Sequence, residues 1–281
     1  MKDITIIIPL HIFNDDVKPL LDNAVNSVNE CAKVYEHGKL KITFVSPKSI
    51  QDELSQHIKG YFDTYTAIDN FNLLCNDGDT DFCSQINFAV DDVSTDFFSI
   101  LEFDDEYTPN WFNIAARYYV GNENVSVFLP VNLFHDGHKE KWQYGNTMAI
   151  SPMFMTADEN DKDEIGIINY VRLEKCSLFN LTGGIFNTSD FKTVGKYKPS
   201  IQVAFNYEFL LRLTKQGLKA MVVPKEGYIH GIGREGSLTE TYMNDLTDAE
   251  REKWFALALR ECDYTEDRKK DIANIKEEAV K

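Results

Sequence analysis

The sequence predicts an α/β protein built on a Rossmann-like, mostly parallel sheet flanked by helices. Residues 4–10 are β-branched and apolar on both faces, as is typical of a central parallel strand. Strand and helix patterns alternate from there, which favours parallel strands joined by right-handed crossovers. A third observation is the apolar run 97–101, which ends abruptly in acid and therefore places carboxylates at the end of a buried strand.

The first half of the chain supplies this alternation. Pro9 and Pro47 lie where two strand patterns stop, as expected of a residue that cannot donate to a sheet ladder. The predicted elements are a strand at 4–10, a helix with Leu21, Val25, Val28 and Ala32 on one face, a strand at 41–45, and helices at 50–58 and 82–90.

The aspartate-rich segment after Leu74 has the Asp-x-Asp-x-Asp spacing with which a calcium loop begins. An EF-hand needs a bidentate glutamate at its twelfth position, and counting from Asp77 that position is Phe88. We therefore predict a polar loop here and no calcium site.

The acidic stretch that follows Leu101 is the strongest functional signal. Unpaired buried carboxylates are costly, so the strand is expected to leave the sheet at Glu102. Ligands bind at the carboxyl ends of strands in open α/β sheets, and Glu102 and Asp104 share a face. Clustered carboxylates suit Mg²⁺ or Mn²⁺ shared with substrate phosphates. The alternative is a solvated acidic turn before Pro109.

The second half of the chain is less regular. Its predicted elements are a helix at 111–120, a strand at 126–131, a polar irregular segment at 132–163, a helix at 207–218 with Gly217 as its C-cap, and a strand at 220–224. Gly183 and Gly184 either let the backbone approach a ligand or make a turn. His135 and His138 are three residues apart, but without further ligands they favour a solvated loop over a metal site.

The tail begins a helix with the capping box Thr247–Glu250 and continues with a second helix carrying Ile272, Ile275 and Ala279. We predict a helical hairpin that packs back on the domain or forms an oligomer contact. The predicted organisation is one domain over 1–237 and a C-terminal helical extension over 238–281.

Composition narrows the class of protein. The 281 residues include 29 lysines and arginines against 45 aspartates and glutamates, a formal net charge of −16 that disfavours a broad nucleic-acid surface. Five widely spaced cysteines without a C-x-x-C predict free thiols in a reducing compartment. No apolar run approaches the roughly 20 residues of a membrane span, and we see no signal peptide, so a cytoplasmic location is predicted.

The order of the motifs is more informative than any one of them. They are Ile8-Pro9 at the end of the first strand, Asn76-x-Gly78, Leu101-Glu102-Phe103-Asp104-Asp105, Gly183-Gly184, a helix with Arg212, and a strand leading to His230. This order resembles the GT-A-fold glycosyltransferases of family 2 over roughly residues 4–237.

The resemblance implies an inverting transfer of a hexose or pentose from a nucleotide-diphosphate donor to an acceptor hydroxyl, with Mn²⁺ or Mg²⁺. It assigns Asp104 to the metal, with Asp105 and His230 in support, and Glu102 to the ribose or the metal. The implied donor-binding residues are Pro9, His11, Asn76, Glu102, Asp104 and Arg234. Gly183 and Gly184, with the 132–163 segment, would shape the acceptor site.

Three positions depart from the family pattern. Residues 45–49 stand where the family has paired aspartates, and the D-x-D motif begins with Glu102. Asn206 stands at the position of the family's general base. Glu208 and Asp190 are the carboxylates we predict in that role, of which Glu208 is nearer along the chain.

Other functions stay open on these observations. The missing base motivates a nucleotide- or glycan-binding protein on the same scaffold without catalysis. A nucleotidyltransferase is disfavoured, because no glycine-rich loop with lysine or arginine follows the first strand. The acceptor is a glycan, a lipid-linked glycan or a protein, with a modified nucleic acid disfavoured by the acidic charge. The C-terminal helices are a possible homo-oligomer contact.

Overall fold

The computed structural model describes residues 2–119, 121–135, 142–151, 165–174, 176–201, 203–232 and 246–262. Ten strands of this part of the chain join in one sheet. They are β1 Ile4–Pro9, β2 Leu40–Ser46, β3 Asn70–Cys75, β4 Phe97–Ile100, β5 Glu106–Tyr107, β6 Val125–His135, β7 Gln143–Gly145, β8 Ile167–Ile168, β9 Ile185–Asn187 and β10 Lys219–Gly231.

The strand order is β3-β2-β1-β4-β9-β6-β10-β5, with β7 beside β6 and β8 beside β10. The first four strands of that order are parallel, and β6 is parallel to β10. β9 runs antiparallel to both β4 and β6 and so joins the two parallel halves. The predicted α/β class is confirmed, and the sheet is mixed beyond β4.

Helices cover both faces of this sheet. They are α1 Val17–Val34, α2 Lys48–Lys59, α3 Tyr61–Thr64, α4 Phe82–Asp92, α5 Trp111–Ala116, α6 Tyr170–Leu173, α7 Thr188–Val194, α8 Phe205–Lys215 and a last helix, α9, over 248–262. One core packs α1 and α5 against the face that carries Ile4, Ile6 and Ile8. The other packs α4, α7 and α8 against the opposite face.

Several sequence predictions are confirmed and others are wrong. β1, β2, β4 and α4 lie where they were predicted. The prediction that the chain is irregular from residue 132 is wrong for residues 132–135 and 143–145. β6 continues to His135 and pairs with β7 over these residues. β10 also continues beyond Pro224, which sits at an irregularity in the register with β6 where a missing N–H is tolerated.

The tail helix packs back on the domain, as one of the two predicted arrangements required. The backbone N–H of Thr247 donates to Glu250, which confirms the capping box. Ala258 and Cys262 are fully buried, and the ring of Phe255 lies 5.7 Å from that of Tyr207 on α8. The predicted second tail helix and the boundary at 237/238 lie outside the described residues.

Two compositional predictions can be compared with the structure. None of the five cysteines, all of them among the described residues, forms a disulfide, as predicted. Among the residues the structure describes, no helix combines the length and the apolar character needed to cross a membrane.

Candidate active site

The carboxyl ends of the four parallel strands meet at one edge of the sheet. Leu10 N donates to Val45 O at 2.9 Å, and Asn76 N donates to Ser46 O at 2.9 Å. Pro9, Asn76 and Glu102 therefore come together at this edge, because each ends or follows one of these strands. The structure thus places the loops after β1, β2, β3 and β4 side by side, as parallel pairing requires.

The predicted donor-binding side chains differ in what they present at this edge. His11 is exposed, and its ring lies 5.8 Å from that of Phe103. Phe103 belongs to the loop of residues 102–105, which we call the acidic loop. The amide of Asn76 is buried and occupied by its own loop, since it donates to Asp79 O and accepts from Gly78 N. Asn76 therefore shapes the loop, and the exposed residues 77–80 form its surface.

Asp105 is the buried centre of the acidic loop, with 1% of its surface exposed. Its Oδ2 accepts from Tyr228 Oη at 2.8 Å and lies 2.6 Å from His230 Nδ1. Its Oδ1 accepts from Gly231 N at 3.0 Å. Both carboxylate oxygens are thus occupied by groups of β10, and this fastens the acidic loop to that strand.

Tyr228 links the acidic loop to β10. Its hydroxyl donates to Asp105 and accepts from Glu102 N at 3.1 Å, so one buried oxygen connects both ends of the 102–105 turn. The sequence shows the required signal, since residues 228 and 230 share a face of an extended strand. The residues predicted from the sequence include His230 but not Tyr228.

Gly183 lies against the ring of Tyr228, and Gly184 lies against Leu129. Gly183 has φ +75°, and a Cβ there would come within 2.4 Å of the Tyr228 ring. Its backbone oxygen accepts from Trp111 Nε1 at 2.9 Å, and its N–H donates to Ile100 O. Of the two predicted reasons for these glycines, the structure favours the turn, because what the backbone approaches is a buried ring.

The charges of this cluster are coupled. Burial raises the pKa of Asp105, while the charge and hydrogen bond of His230 oppose that shift. Burial alone would lower the pKa of His230, but the charge and hydrogen bond of Asp105, with Glu102 and Asp104 nearby, raise it to about 9. With its pKa at about 9, His230 is an imidazolium at neutral pH in the metal-free protein.

Glu102, Asp105 and His230 each present a ligand atom, and these atoms all lie within 4.8 Å of one another. A set of carboxylate and imidazole ligands fits Mn²⁺. Because Asp105 faces Nδ1, Nε2 is the nitrogen with which His230 can coordinate, and a carboxylate behind a histidine is the usual support of a metal ligand. Asp104 is half-buried beside Gly231, whose Cβ position would lie 3.7 Å from Asp104 O.

Glu208 does not present its carboxylate at this site. It is fully buried, and both its oxygens accept from the guanidinium of Arg212 at 2.7 and 2.8 Å. The ammonium of Lys198 lies 3.0 Å from it. The carboxylate is a member of a buried ion network, so we withdraw the predicted role of general base: a group with no exposed surface cannot meet an acceptor hydroxyl.

Asp190 lies at the other end of the strands. It accepts from Ser126 Oγ at 2.6 Å, at the start of β6. The neighbouring Thr188 N donates to Asp96 O, which precedes β4, whereas Glu102 follows β4. The length of that strand, about 3.3 Å per residue, separates Asp190 from the acidic loop, so we do not propose Asp190 as the base.

The remaining predicted residues are partly beyond the described structure. Arg234 and His138 lie outside the described residues, so their predicted roles stay predictions. His135 ends β6, and its ring lies 5.4 Å from that of Trp142. Asn206, in the first turn of α8, is half-buried.

Comparison with known proteins gives a family and a set of related folds. The sequence model of the family described as "Glycosyl transferase family 2" matches residues 5–181. No curated protein sequence matches the chain.

Among solved structures, the chain is similar to a mannosyltransferase, PcManGT from Pyrobaculum calidifontis, in complex with GDP-Man and Mn²⁺. The identity is 12% and the TM-score 0.64, over 92% of this chain and 64% of that one. It is also similar to S. aureus TarS 1-349 in complex with UDP-GlcNAc, with 15% identity and a TM-score of 0.59, over 92% and 72% of the two chains. The chain thus spans less than two thirds of the mannosyltransferase chain, and at these identities the likeness is one of fold.

Proposed function

The chain belongs to glycosyl transferase family 2 and has the GT-A fold, and from that premise we propose that it transfers a sugar from a nucleotide-diphosphate donor to an acceptor hydroxyl. A divalent cation assists the transfer, and the displacement is direct, with inversion at the sugar carbon. The related structures in complex with GDP-Man and with UDP-GlcNAc support a donor of this class.

The observation that carries the proposal is the cluster of Asp105, Tyr228 and His230 behind Glu102. Four hydrogen bonds hold the acidic loop against β10, and the cluster lies at the carboxyl edge of the sheet. A solvated acidic turn would need none of these buried contacts. The expense of burying Asp105 is explained if the loop must present its other carboxylates in a fixed place.

Asp104 and His230 would hold the cation. Glu102 would contact either the cation or the ribose of the donor. When bound, the cation offsets the negative charge that develops on the diphosphate leaving group. Asp105 acts as a positioning residue, because its contact with Nδ1 turns the other nitrogen of His230 outward. Tyr228 fixes Asp105 and the backbone of Glu102 together.

The donor would lie across the loops at the ends of β1 to β4, near Pro9, His11 and the loop that Asn76 shapes. Arg234 is proposed to contact the diphosphate. The acceptor, a glycan, a lipid-linked glycan or a protein, would approach from the side of Asn206. We further propose that residues 1–237 form the transferase domain, that 238–281 extend it, and that it works in the cytoplasm.

A second candidate function follows from α8. No carboxylate stands at position 206, and Glu208 is locked by Arg212 and Lys198. A protein that binds the donor and transfers sugar weakly or not at all is consistent with these two facts. The two candidates differ in turnover and agree in donor binding.

The experiment is thermal unfolding with a panel of nucleotide diphosphates, with and without Mn²⁺, followed by an assay for release of the nucleotide from matching nucleotide sugars. Saturation at about 100 times the dissociation constant stabilises by roughly 2.7 kcal/mol, a clear shift in midpoint. A Mn²⁺-dependent shift with turnover supports the transferase, and a shift without turnover supports the binding protein. No shift with any nucleotide would overturn both.

A further inference from the structure

β3 forms one end of the sheet. Among the described residues it pairs with β2 alone, so its other side is an edge. Leu73 packs against the core on one face, and Leu74 packs against the core on the other. An edge strand carries a row of unpaired N–H and C=O groups to which another extended segment can add.

Large apolar side chains flank this edge on both faces. Phe62 is 54% exposed, and its ring lies 5.2 Å from that of Phe71 in β3. Phe88 of α4 is 41% exposed. It lines a surface hollow of about 340 Å³ together with Leu74, Asp91 and Asp92. A strand added to β3 would therefore find an apolar contact for the side chains on each of its faces.

The charge around this edge is predominantly negative. Residues 60–92, from the turn before α3 to the end of α4, contain seven aspartates and no lysine or arginine. Lys39 pairs with Asp69, and Lys196 pairs with Asp91. No lysine or arginine of the described residues lies within ion-pair distance of Asp63 or Asp92, both of which are exposed.

This charge decides which partner fits. A second copy of the chain, paired edge to edge, would bring two such acidic surfaces together, and like charges across an interface are costly. A basic partner would be attracted instead. We propose that the edge of β3 is the docking site of a lysine- or arginine-rich extended segment of a partner protein, which adds to the sheet as a further strand.

In this arrangement the two faces of the added strand contact Phe62 and Phe88, and its cations lie near Asp63 and Asp92. The main-chain hydrogen bonds to β3 set the register, and the two rings and the acidic groups select the side chains. This docking site is separate from the proposed sugar-transfer site, and its test does not depend on whether the protein transfers sugar.

The test uses the full chain and a fluorescein-labelled octapeptide, Lys-Lys-Val-Val-Lys-Lys-Val-Val, which presents lysine and valine on both faces of an extended strand. Binding is followed by anisotropy in 150 mM salt. We expect the double variant Phe62→Ser, Phe88→Ser to bind about tenfold or more weakly. Val34→Ser, which changes a side chain 40% exposed on α1, is the matched control and should bind like the parent. The same peptide methylated at every backbone nitrogen keeps its charge and should lose binding.

Two results would overturn the proposal. Equal binding of the fully methylated peptide, or of the double variant, would show a mere attraction of a cation for an acidic protein. A dimer in sedimentation that dissociates in the double variant would show that the edge is covered by a second copy of the chain.

Discussion

Nδ1 of His230 lies 2.6 Å from Oδ2 of Asp105, although 125 positions separate the two residues in the chain. The contact joins the loop after β4 to β10, on the far side of β9 and β6 in the sheet. It fixes both the orientation of the imidazole and its charge. The proposed metal ligand and the buried carboxylate that supports it therefore come from opposite halves of the fold.

This pair predicts how the stability of the metal-free protein depends on pH. The pKa of His230 is raised from its ordinary 6.5 to about 9, so the folded state holds this proton more tightly than the unfolded state does. The resulting stability is fully present below pH 6.5 and is lost as pH rises through 9. Urea unfolding at pH 6.5, 7.5 and 9 should show the decline, and His230→Gln should flatten it. A variant at His37, which is exposed, should keep the parent's slope; an unchanged slope in His230→Gln would refute the assignment.

The same pair predicts the effect of Asp105→Asn on metal binding. Loss of the carboxylate removes the group that orients His230, and such supporting groups are typically worth about 10–100-fold in metal affinity. We expect Mn²⁺ affinity, measured by titration calorimetry, to fall by that factor while the protein stays folded. Asp52→Asn, at an exposed position of α2, is the control. Unaltered affinity in Asp105→Asn would contradict the positioning role.

Gly183→Ala should disturb the site from below. The substitution strains a backbone at φ +75° and forces a Cβ to within 2.4 Å of the Tyr228 ring. Gly217→Ala has the matching strain, φ +81°, with nothing within 4 Å of the new Cβ. We expect both to lose about 1 kcal/mol or more of unfolding free energy, and only Gly183→Ala to weaken Mn²⁺ binding as well. If both variants bind Mn²⁺ like the parent, Tyr228 does not control the loop.

Much of this site was readable from the chain. The apolar run that ends at Leu101 predicts a buried strand with carboxylates at its carboxyl end, because burying an unpaired carboxylate within the sheet is costly. The period of two along β10 is equally local, and it links residues 228 and 230 to one face. What the sequence could not supply is the register between β10 and the acidic loop, on which the bond between His230 and Asp105 depends.

The two carboxylates predicted as the general base lie away from the acidic loop. Glu208 is two residues from Asn206, but the helical spacing of four that joins it to Arg212 turns it into the core. Asp190 follows a strand antiparallel to β4, so it emerges at the opposite edge of the sheet. In both cases the direction of the element, and its neighbours in space, decided where the carboxylate lies.

Glu208→Gln should therefore affect stability more than chemistry. Removing one partner of a buried ion pair leaves Arg212 and Lys198 uncompensated, at a cost of about 3–5 kcal/mol. We expect a lower urea midpoint and an unchanged kcat per folded molecule at a temperature where the variant is folded. A stable variant with kcat reduced by a factor of 10²–10⁴ would instead show that Glu208 is the general base after all.

Asp104→Asn should separate the metal from the fold. The side chain is half-buried at the turn, and the buried contacts that fasten the loop to β10 are made by the neighbouring Asp105. We expect the unfolding midpoint without ligands to stay near that of the parent, and the Mn²⁺-dependent shift given by a nucleotide diphosphate to vanish. Asp79→Asn, on the exposed loop after β3, changes a carboxylate at the same edge and should keep the shift. A shift retained in Asp104→Asn would move the metal to Glu102 and His230 alone, because these then suffice to bind it.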